Sequence, residues 1–338
     1  MQAYHLDQFG DAARPVLRDC KTPAPGPHQV LVRVRARSLN YRDLLILKNR
    51  YPIPSVPGTI ALSDGAGEVV ALGEGVRRVA LGDRVAGTYF QRWIDGRMTL
   101  ELVSAQFGCT HDGMLAEYVL ADEEALVKIP PHLSFAEAAC LPCAAVTAWS
   151  ALTGPRRVLA GETVLTIGTG GVALFALQFA RIFGARVISL TSTEEKAELL
   201  RRLGAHDVVN YRTTPAWDAK VRELTEGRGA DHVVETGGLD TLPKSVNAAG
   251  LDSQLSLVIA VTAIASPGDV LDPSVLAGRG TIRRIAVGSR TSFEEMNRAI
   301  TLHGLRPVID RTFGFLDALA AYDHFEARKH VGKVVIAD

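Results

Sequence analysis

Cysteine is scarce in this chain: Cys20, Cys109, Cys140 and Cys143 are the four among 338 residues. So few thiols in so long a chain argue against a disulfide framework and suit a reducing cytoplasm. Net charge is missing too. Lysine plus arginine number 37, and so do aspartate plus glutamate. A balanced chain has no field of one sign to draw in nucleic acid or an anionic membrane, so neither is expected as a partner. A long unbroken apolar run is also absent. The most lipophilic stretch, Val164 to Ala180, is interrupted by Gly168, Gly170, Gly171 and Gln178. A buried strand, a tight turn and a helix account for it better than a membrane span. The opening Met1-Gln2-Ala3-Tyr4-His5 has neither the charged nor the apolar region of a signal peptide. No internal repeat and no low-complexity tract stands out.

What is present is the composition of a globular protein, 47% hydrophobic and 22% charged. The length suits two domains. Roughly the first 125 residues read as mostly β. Val30 to Ala36 alternates apolar and polar residues, and Glu68 to Gly73, Asp83 to Gly87 and Leu115 to Val119 are short strands set off by glycine turns. After Pro130-Pro131 the texture changes. Ser134-Phe135-Ala136-Glu137 has the spacing of a capping box, with helical periodicity to about Leu152. Strand and helix then alternate: strands at Thr163–Ile167, Arg186–Leu190, Val208–Val209 and His232–Glu235, helices at Val172–Phe183, Glu194–Leu203 and Ala216–Thr225. Further strands are expected at Leu255–Val261 and Arg283–Val287, a helix from about Ser292 to His303, and a last strand at Gly332–Ile336. Repeated β-α units imply a parallel sheet covered by helices on both faces.

The strongest chemical signal is Gly168-Thr169-Gly170-Gly171-Val172-Ala173, which fits G-x-G-x-x-G/A between an apolar strand and an apolar helix. In that setting Gly168 allows the tight turn, Gly170 lets a pyrophosphate approach the backbone, and Ala173 is small enough for the helix to pack on the strand. The free N–H groups at the helix start then meet the phosphates. The second strand bears on which dinucleotide binds. NAD-selective sites end it with a carboxylate for the ribose 2′-hydroxyl. Here Leu190 is followed by Thr191-Ser192-Thr193, with no carboxylate until Glu194 and with Lys196 close behind. Hydroxyls donate to a 2′-phosphate and a lysine neutralises it, so NADPH is expected over NADH. Capping of the helix that Glu194 begins is a second role open to the same hydroxyls.

With these features the chain resembles the medium-chain dehydrogenase/reductase superfamily, in the zinc-lacking branch near the quinone oxidoreductases. The resemblance runs almost end to end. Its markers are Ser38-Leu39-Asn40-Tyr41-Arg42-Asp43, Asp64-Gly65-Ala66-Gly67-Glu68-Val69-Val70, Gly73-Glu74-Gly75-Val76, Gly82-Asp83-Arg84-Val85, Ala116-Glu117-Tyr118, Leu141-Pro142-Cys143-Ala144, the glycine loop, and Gly332-Lys333-Val334-Val335. It implies an α/β fold: a GroES-like mostly-β catalytic domain (1–125), a Rossmann doubly wound parallel sheet (126–291), and a return of 292–338 to the first domain. It also implies an active site in a cleft and a homodimer or homotetramer. By the same resemblance Thr147 lies near the nicotinamide ribose or ring, Tyr211 flanks the adenine ribose, and Gly237-Gly238 passes the nicotinamide ribose. Gly288, Ser289, Arg290 and Lys333 approach from the far side, unless these positions serve turns and solvent instead.

The departures from the family carry the mechanism. Asn40 stands where zinc-dependent relatives carry a cysteine ligand, Leu62-Ser63-Asp64 where they carry glycine-histidine-glutamate, and only Cys109 remains in the region of their four-cysteine lobe. Zinc takes nitrogen, sulfur or carboxylate ligands, and Asn40 and Ser63 are poor ones, so no metal is expected. Cys140 and Cys143 form a C-x-x-C, but Pro142 and a run of small residues around them point to packing, and His111 is isolated. Without zinc, hydrogen-bond donors must stabilise the charge that hydride transfer builds on oxygen. Activated carbonyls, enones and quinones need the least help. Asn40 is expected to donate to the substrate oxygen, Tyr41 and Arg42 to contact oxygen or phosphate, and Asp43 and Asp64 to orient neighbours, against the plainer alternative of charge pairing. A metal-free NADP-linked alcohol dehydrogenase and a non-catalytic NADPH-binding protein are the competing functions.

Overall fold

The computed structural model describes residues 1–258, 273 and 280–338. The chain forms two compact units, Met1–Val146 with Val287–Asp338, and Thr147–Ala286.

The first unit is mostly β. It opens with β1 (Gln2–Leu6) and β2 (Val16–Asp19), then β3 (Gln29–Ser38), helix α1 (Tyr41–Leu47), β4 (Thr59–Ile60), β5 (Asp64–Leu72) and β6 (Arg84–Gly87). Helix α2 (Leu100–Ser104), β7 (Tyr118–Asp122), β8 (Leu126–Lys128) and the short helix α3 (Phe135–Ala138) follow. The alternation seen at Val30–Ala36 is realised in β3, whose Val30, Val32 and Val34 sit in one buried cluster with Val69, Val85 and Val119. Ser134 and Glu137 make the expected reciprocal cap of α3. After α3, Leu141–Ala145 forms a π-helical turn leading into α4 (Val146–Thr153), within which the chain passes to the second unit. The strand expected at Leu115–Val119 starts three residues later, because Leu115 and Ala116 instead bond to β1, through Tyr4 N–H to Leu115 O at 2.9 Å and an Ala3–Ala116 bridge.

In the second unit β9 (Thr163–Ile167), β10 (Arg186–Thr191), β11 (Asp207–Asn210), β12 (Ala230–Glu235), β13 (Ala249–Leu257) and β14 (Thr281–Arg284) build one sheet. Helices α5 (Gly171–Ile182), α6 (Glu194–Arg202), α7 (Trp217–Leu224) and α8 (Leu242–Ala248) connect them. Among the described residues the strand order is β11-β10-β9-β12-β13-β14, every pair parallel. This is the doubly wound Rossmann arrangement, and its order reverses between β9 and β12. Every residue of β9 is buried, and Leu165 and Ile167 share a core with Ile188, Leu190, Val209, Val233 and Leu255. Strand β13 begins at Ala249, earlier than the apolar run suggested, and residues 259–261 of the expected strand lie outside the described residues.

The tail rejoins the first unit. Helix α9 (Arg290–His303), β15 (Ile309–Gly314), α10 (Ala318–Glu326) and β16 (Lys333–Ala337) complete it, with β16 antiparallel to β3. Ala318, Tyr322 and Phe325 of α10 pack with Leu39, Leu44, Leu47 and Val334 in a second buried cluster of that unit. Helix α1, helix α8, β15 and α10 had no clear periodic signal. Among the described residues no helix is long and apolar enough to cross a membrane.

Candidate active site

Two groups of residues stand out, one in each unit. In the second unit the glycine turn leaves β9 where the strand order reverses. Gly168 takes φ +83°, a conformation strained for any side chain, and its N–H donates to Leu190 O at 2.9 Å. Gly170 is the N-cap of α5 with φ −75°, and nothing lies within 4 Å of where its Cβ would be. The turn is therefore open at Gly168 and Gly170, next to Thr169, Gly171 and Val172 in the chain, and the first N–H groups of α5 have room for an anion.

At the end of β10 the Thr191 hydroxyl is buried with no hydrogen-bond partner. An unpaired buried hydroxyl is costly, so this one invites a ligand. Thr193 caps α6 by accepting from Lys196 N–H at 3.3 Å, so capping is realised at Thr193 while Thr191 stays unengaged. Ser192 lies between them, and the Lys196 side chain, half-buried, makes no ion pair among the described residues. Tyr211 follows β11, and its N–H donates to Thr191 O at 2.9 Å, which brings the expected adenine-side tyrosine to this corner.

The turn after β12 is held by a carboxylate that the sequence did not single out. Glu235 is fully buried. Its Oε1 accepts from Gly237 N–H at 2.5 Å, Gly238 N–H at 3.2 Å and Thr241 Oγ1 at 2.8 Å, while Oε2 accepts from the Ser245 hydroxyl. Thr236 Oγ1 donates to Ile167 O at 2.6 Å, tying this turn to the residue just before Gly168. The two turns thus flank the reversal point, where doubly wound sheets bind their ligands. The acid two residues before Gly237-Gly238 was the available signal, obscured because one strand-end carboxylate is unremarkable. Thr147 is buried at the start of α4.

In the first unit β3 delivers Leu39 and Asn40 to the start of α1. Asn40 N–H donates to Asp43 Oδ2 at 2.8 Å, so Asp43 fixes the turn. Lys333, at the first position of β16, is buried, and its Nζ donates to Leu39 O and to Asn40 Oδ1, both at 2.6 Å. Asn40 Nδ2 is buried without a partner. Arg42 is buried and donates to Asp43 Oδ1 at 3.2 Å, Phe107 O at 3.0 Å and Gln106 Oε1 at 3.4 Å. Its guanidinium lies against the rings of Tyr51 and Tyr89, at 5.3 and 4.9 Å from their centroids. Tyr51 Oη bonds to Tyr89 Oη at 2.8 Å and donates to Gln106 Oε1 at 3.1 Å. These aromatics and Gln106 carry no motif and only the tertiary structure reveals them.

Burial works against the charge on Arg42, but Tyr89, Asp43 and Tyr51 outweigh it and keep the guanidinium protonated. Burial pushes Asp43 up to about 6, more than Arg42 and Lys333 pull it down, with Asp64 adding to the rise. Asp64 accepts from the Ser63 hydroxyl at 2.7 Å and from Cys143 N–H at 2.9 Å. Leu62, two residues before Asp64, is held at φ +67°, a strained conformation next to the site. Burial pushes the Cys140 thiol up to about 12 and the Cys143 thiol higher still, where Asp64 adds to it. Thiols that hard to ionise are not redox nucleophiles, in keeping with a packing role for the C-x-x-C.

The other expected contacts lie elsewhere. Tyr41 is substantially exposed, and its hydroxyl accepts from Arg328 Nη2 at 2.7 Å; the structure does not bring it to Asn40. Ser289 caps α9 through Ser292 N–H at 3.2 Å, beside Gly288. Arg290 is committed to Glu124, with Glu294 nearby, and to backbone contacts at Trp93 and Glu124. Lys333 is committed to Leu39 and Asn40 rather than to solvent.

Comparison with known proteins places this geometry in a family. Residues 26–131 match the alcohol dehydrogenase GroES-like domain and residues 171–301 the zinc-binding dehydrogenase domain. The chain is 40% identical to a zinc-type alcohol dehydrogenase-like protein of Schizosaccharomyces pombe, over 92% of this chain and 91% of that one. It is 30% identical to a quinone oxidoreductase of Pseudomonas aeruginosa, over 94% of each. The crystal structure of a putative alcohol dehydrogenase from Sinorhizobium meliloti superposes with a TM-score of 0.91 at 36% identity, covering 100% of this chain and 98% of that one. A mycobacterial protein complexed with NADPH superposes with a TM-score of 0.82 at 29% identity, covering 100% of each. The chain belongs to the medium-chain dehydrogenase/reductase superfamily and is an oxidoreductase of the alcohol dehydrogenase and quinone oxidoreductase type.

Proposed function

We propose that this protein is a zinc-independent, NADPH-dependent reductase of activated carbonyls, enones or quinones. The observation that carries the proposal is the Asn40 amide. It is a buried N–H donor without a partner, and Lys333 holds the oxygen end of the same amide. Such a donor stabilises negative charge developing on a substrate oxygen, and it does so most strongly where water is excluded.

The same residues do not fit zinc. Asn40 Oδ1 is taken by the Lys333 ammonium, and the Ser63 hydroxyl donates to Asp64. Among the described residues no three His, Cys, Asp or Glu side chains converge into a metal cluster.

The cofactor end supports NADPH. The open glycine turn suits a pyrophosphate, and the unpaired Thr191 hydroxyl with the Lys196 ammonium nearby in sequence suits a 2′-phosphate. NADPH is also bound by the mycobacterial structure described above. When bound, NADPH supplies the hydride; Gly168 to Val172 hold its pyrophosphate, and Thr191, Ser192 and Lys196 its phosphorylated ribose.

Metal-free oxidation of alcohols is the second reading, favoured by the hydrogen-bonded Tyr51–Tyr89 pair as a proton relay. Burial raises both phenols, however, so neither is present as the phenolate that a base would need and both stay protonated. Steady-state assays decide between the two. NADPH consumption with a quinone or an enone is expected to exceed NADP⁺ reduction with alcohols, and turnover confined to alcohols would reverse the assignment. Thr191→Asp is expected to weaken NADPH binding at least tenfold relative to NADH, since a carboxylate there repels the 2′-phosphate; tighter binding of NADH by the unaltered protein would refute the cofactor assignment. A cytoplasmic location is part of the same proposal.

A further inference from the structure

We infer that Lys333 is a positioning residue that sets the orientation of the Asn40 amide, so that the site offers its substrate an N–H donor rather than a carbonyl acceptor. The inference rests on the reading of Asn40 as the donor to the substrate oxygen, and it goes beyond the cofactor contact expected of Lys333.

A carboxamide is nearly symmetrical in shape, and its two ends have opposite hydrogen-bonding character. Packing alone therefore decides poorly which end faces a substrate. A lysine ammonium has three donors and no acceptor, so the group facing it must be the oxygen. Lys333 Nζ lies 2.6 Å from Asn40 Oδ1 and 2.6 Å from Leu39 O, which anchors it on the adjoining backbone carbonyl. Lys333 and Asn40 are both buried, so water does not substitute for the ammonium. With Oδ1 fixed, Nδ2 is turned away from Lys333, and it is the end left without a partner. Asn40 is held from the other side as well, by its own N–H to Asp43 Oδ2. The backbone and one end of the amide are thus committed, and only the other end remains to meet an oxygen. The positive charge behind Oδ1 also polarises the amide, making Nδ2–H a stronger donor.

The arrangement is built from distant parts of the chain. Asn40 sits between β3 and α1, Lys333 opens β16, and the antiparallel pairing of β16 with β3, Val335 opposite Ser38, sets the distance between them. The return of the tail to the first unit therefore supplies a part of the site.

Two measurements test this on the full-length protein. A neutron crystal structure reads the amide directly: two deuterons are expected on the Asn40 atom that points away from Lys333, and deuterons on the atom facing Lys333 would overturn the inference. Kinetics with NADPH and 9,10-phenanthrenequinone give the functional arm. Lys333→Met is expected to lower kcat by about tenfold to a hundredfold, short of losing a whole oxyanion donor, with the Kd for NADPH changed less than twofold. In the Asn40→Ala background Lys333→Met should cost nothing more, because no amide is left to orient. Losses that multiply in the double variant, or an unchanged kcat in Lys333→Met, would refute the positioning role. If the unaltered protein reduces no quinone or enone with NADPH, the proposed reaction fails while the neutron result still decides the amide.

Discussion

At the residue scale, burying a carboxylate beside a guanidinium leaves a charge that burial penalises and a neighbour stabilises, and at Asp43 burial wins. A native value near 6 lies above the 3.8 of an unfolded aspartate, so the native state holds the proton more tightly. Below about pH 4 both states are protonated and Asp43 adds no penalty. As pH rises from about 4 to about 6 the unfolded chain ionises first, and stability falls by up to roughly 3 kcal/mol from this group. Asp43→Asn removes the titration. Its Tm is expected to fall less steeply between pH 4 and 6 than that of the unaltered protein; parallel profiles would show that Asp43 is not the titrating group. None of this is visible in Asn40-Tyr41-Arg42-Asp43 as a string. The spacing marks the segment, but the tyrosine was expected at the site and points outward to Arg328, whereas Arg42 points inward between two tyrosines.

At the element scale the turn after β9 separates a structural glycine from a functional one. Gly168 needs its positive φ, so a side chain there costs about 1–2 kcal/mol. Gly170 has an ordinary φ and open space around its missing Cβ. Gly170→Val is therefore expected to cost only about 1 kcal/mol, the loss of a favourable N-cap residue, while abolishing detectable NADPH binding by calorimetry. A valine variant that binds NADPH normally would show that the turn is not a phosphate cradle. The turn after β12 makes a second case. Glu235→Ala removes the acceptor of Gly237 N–H and Gly238 N–H, and those two amides are expected to exchange faster by hydrogen-exchange measurement. NADPH should bind roughly tenfold more weakly, while 2′-phospho-AMP, which lacks the nicotinamide half, binds as before. Equal weakening of both ligands would mean that Glu235 supports the whole unit rather than this turn.

At the scale of the whole molecule, the sheet of the second unit ends at β14 among the described residues, and all four of its residues are exposed. An exposed terminal strand is a ready pairing edge, which agrees with the homodimer or homotetramer we propose. Sedimentation equilibrium at micromolar concentration is expected to give at least twice the 36.3 kDa chain mass; a monomer would rule this out. The first unit shows how far apart in the chain its parts lie, since α10 and β16 complete a core begun by Tyr4 and Leu6.

The local sequence determined whatever depends on period and neighbouring residues: the alternating strand β3, the capped start of α3, the β-α repeat, and the glycine turn that follows β9. Each is dictated by backbone sterics, hydrogen bonding and burial within a few residues. Only the tertiary structure decided what depends on residues far apart meeting. Tyr51, Tyr89 and Gln106 gather round Arg42, Glu235 and Thr236 hold a turn against β9, and Lys333 comes to rest on Asn40. A sequence specifies which side chains can donate, accept or carry charge. Which of them face one another is fixed by strand pairing and burial, and those pairings span nearly three hundred residues at Asn40 and Lys333.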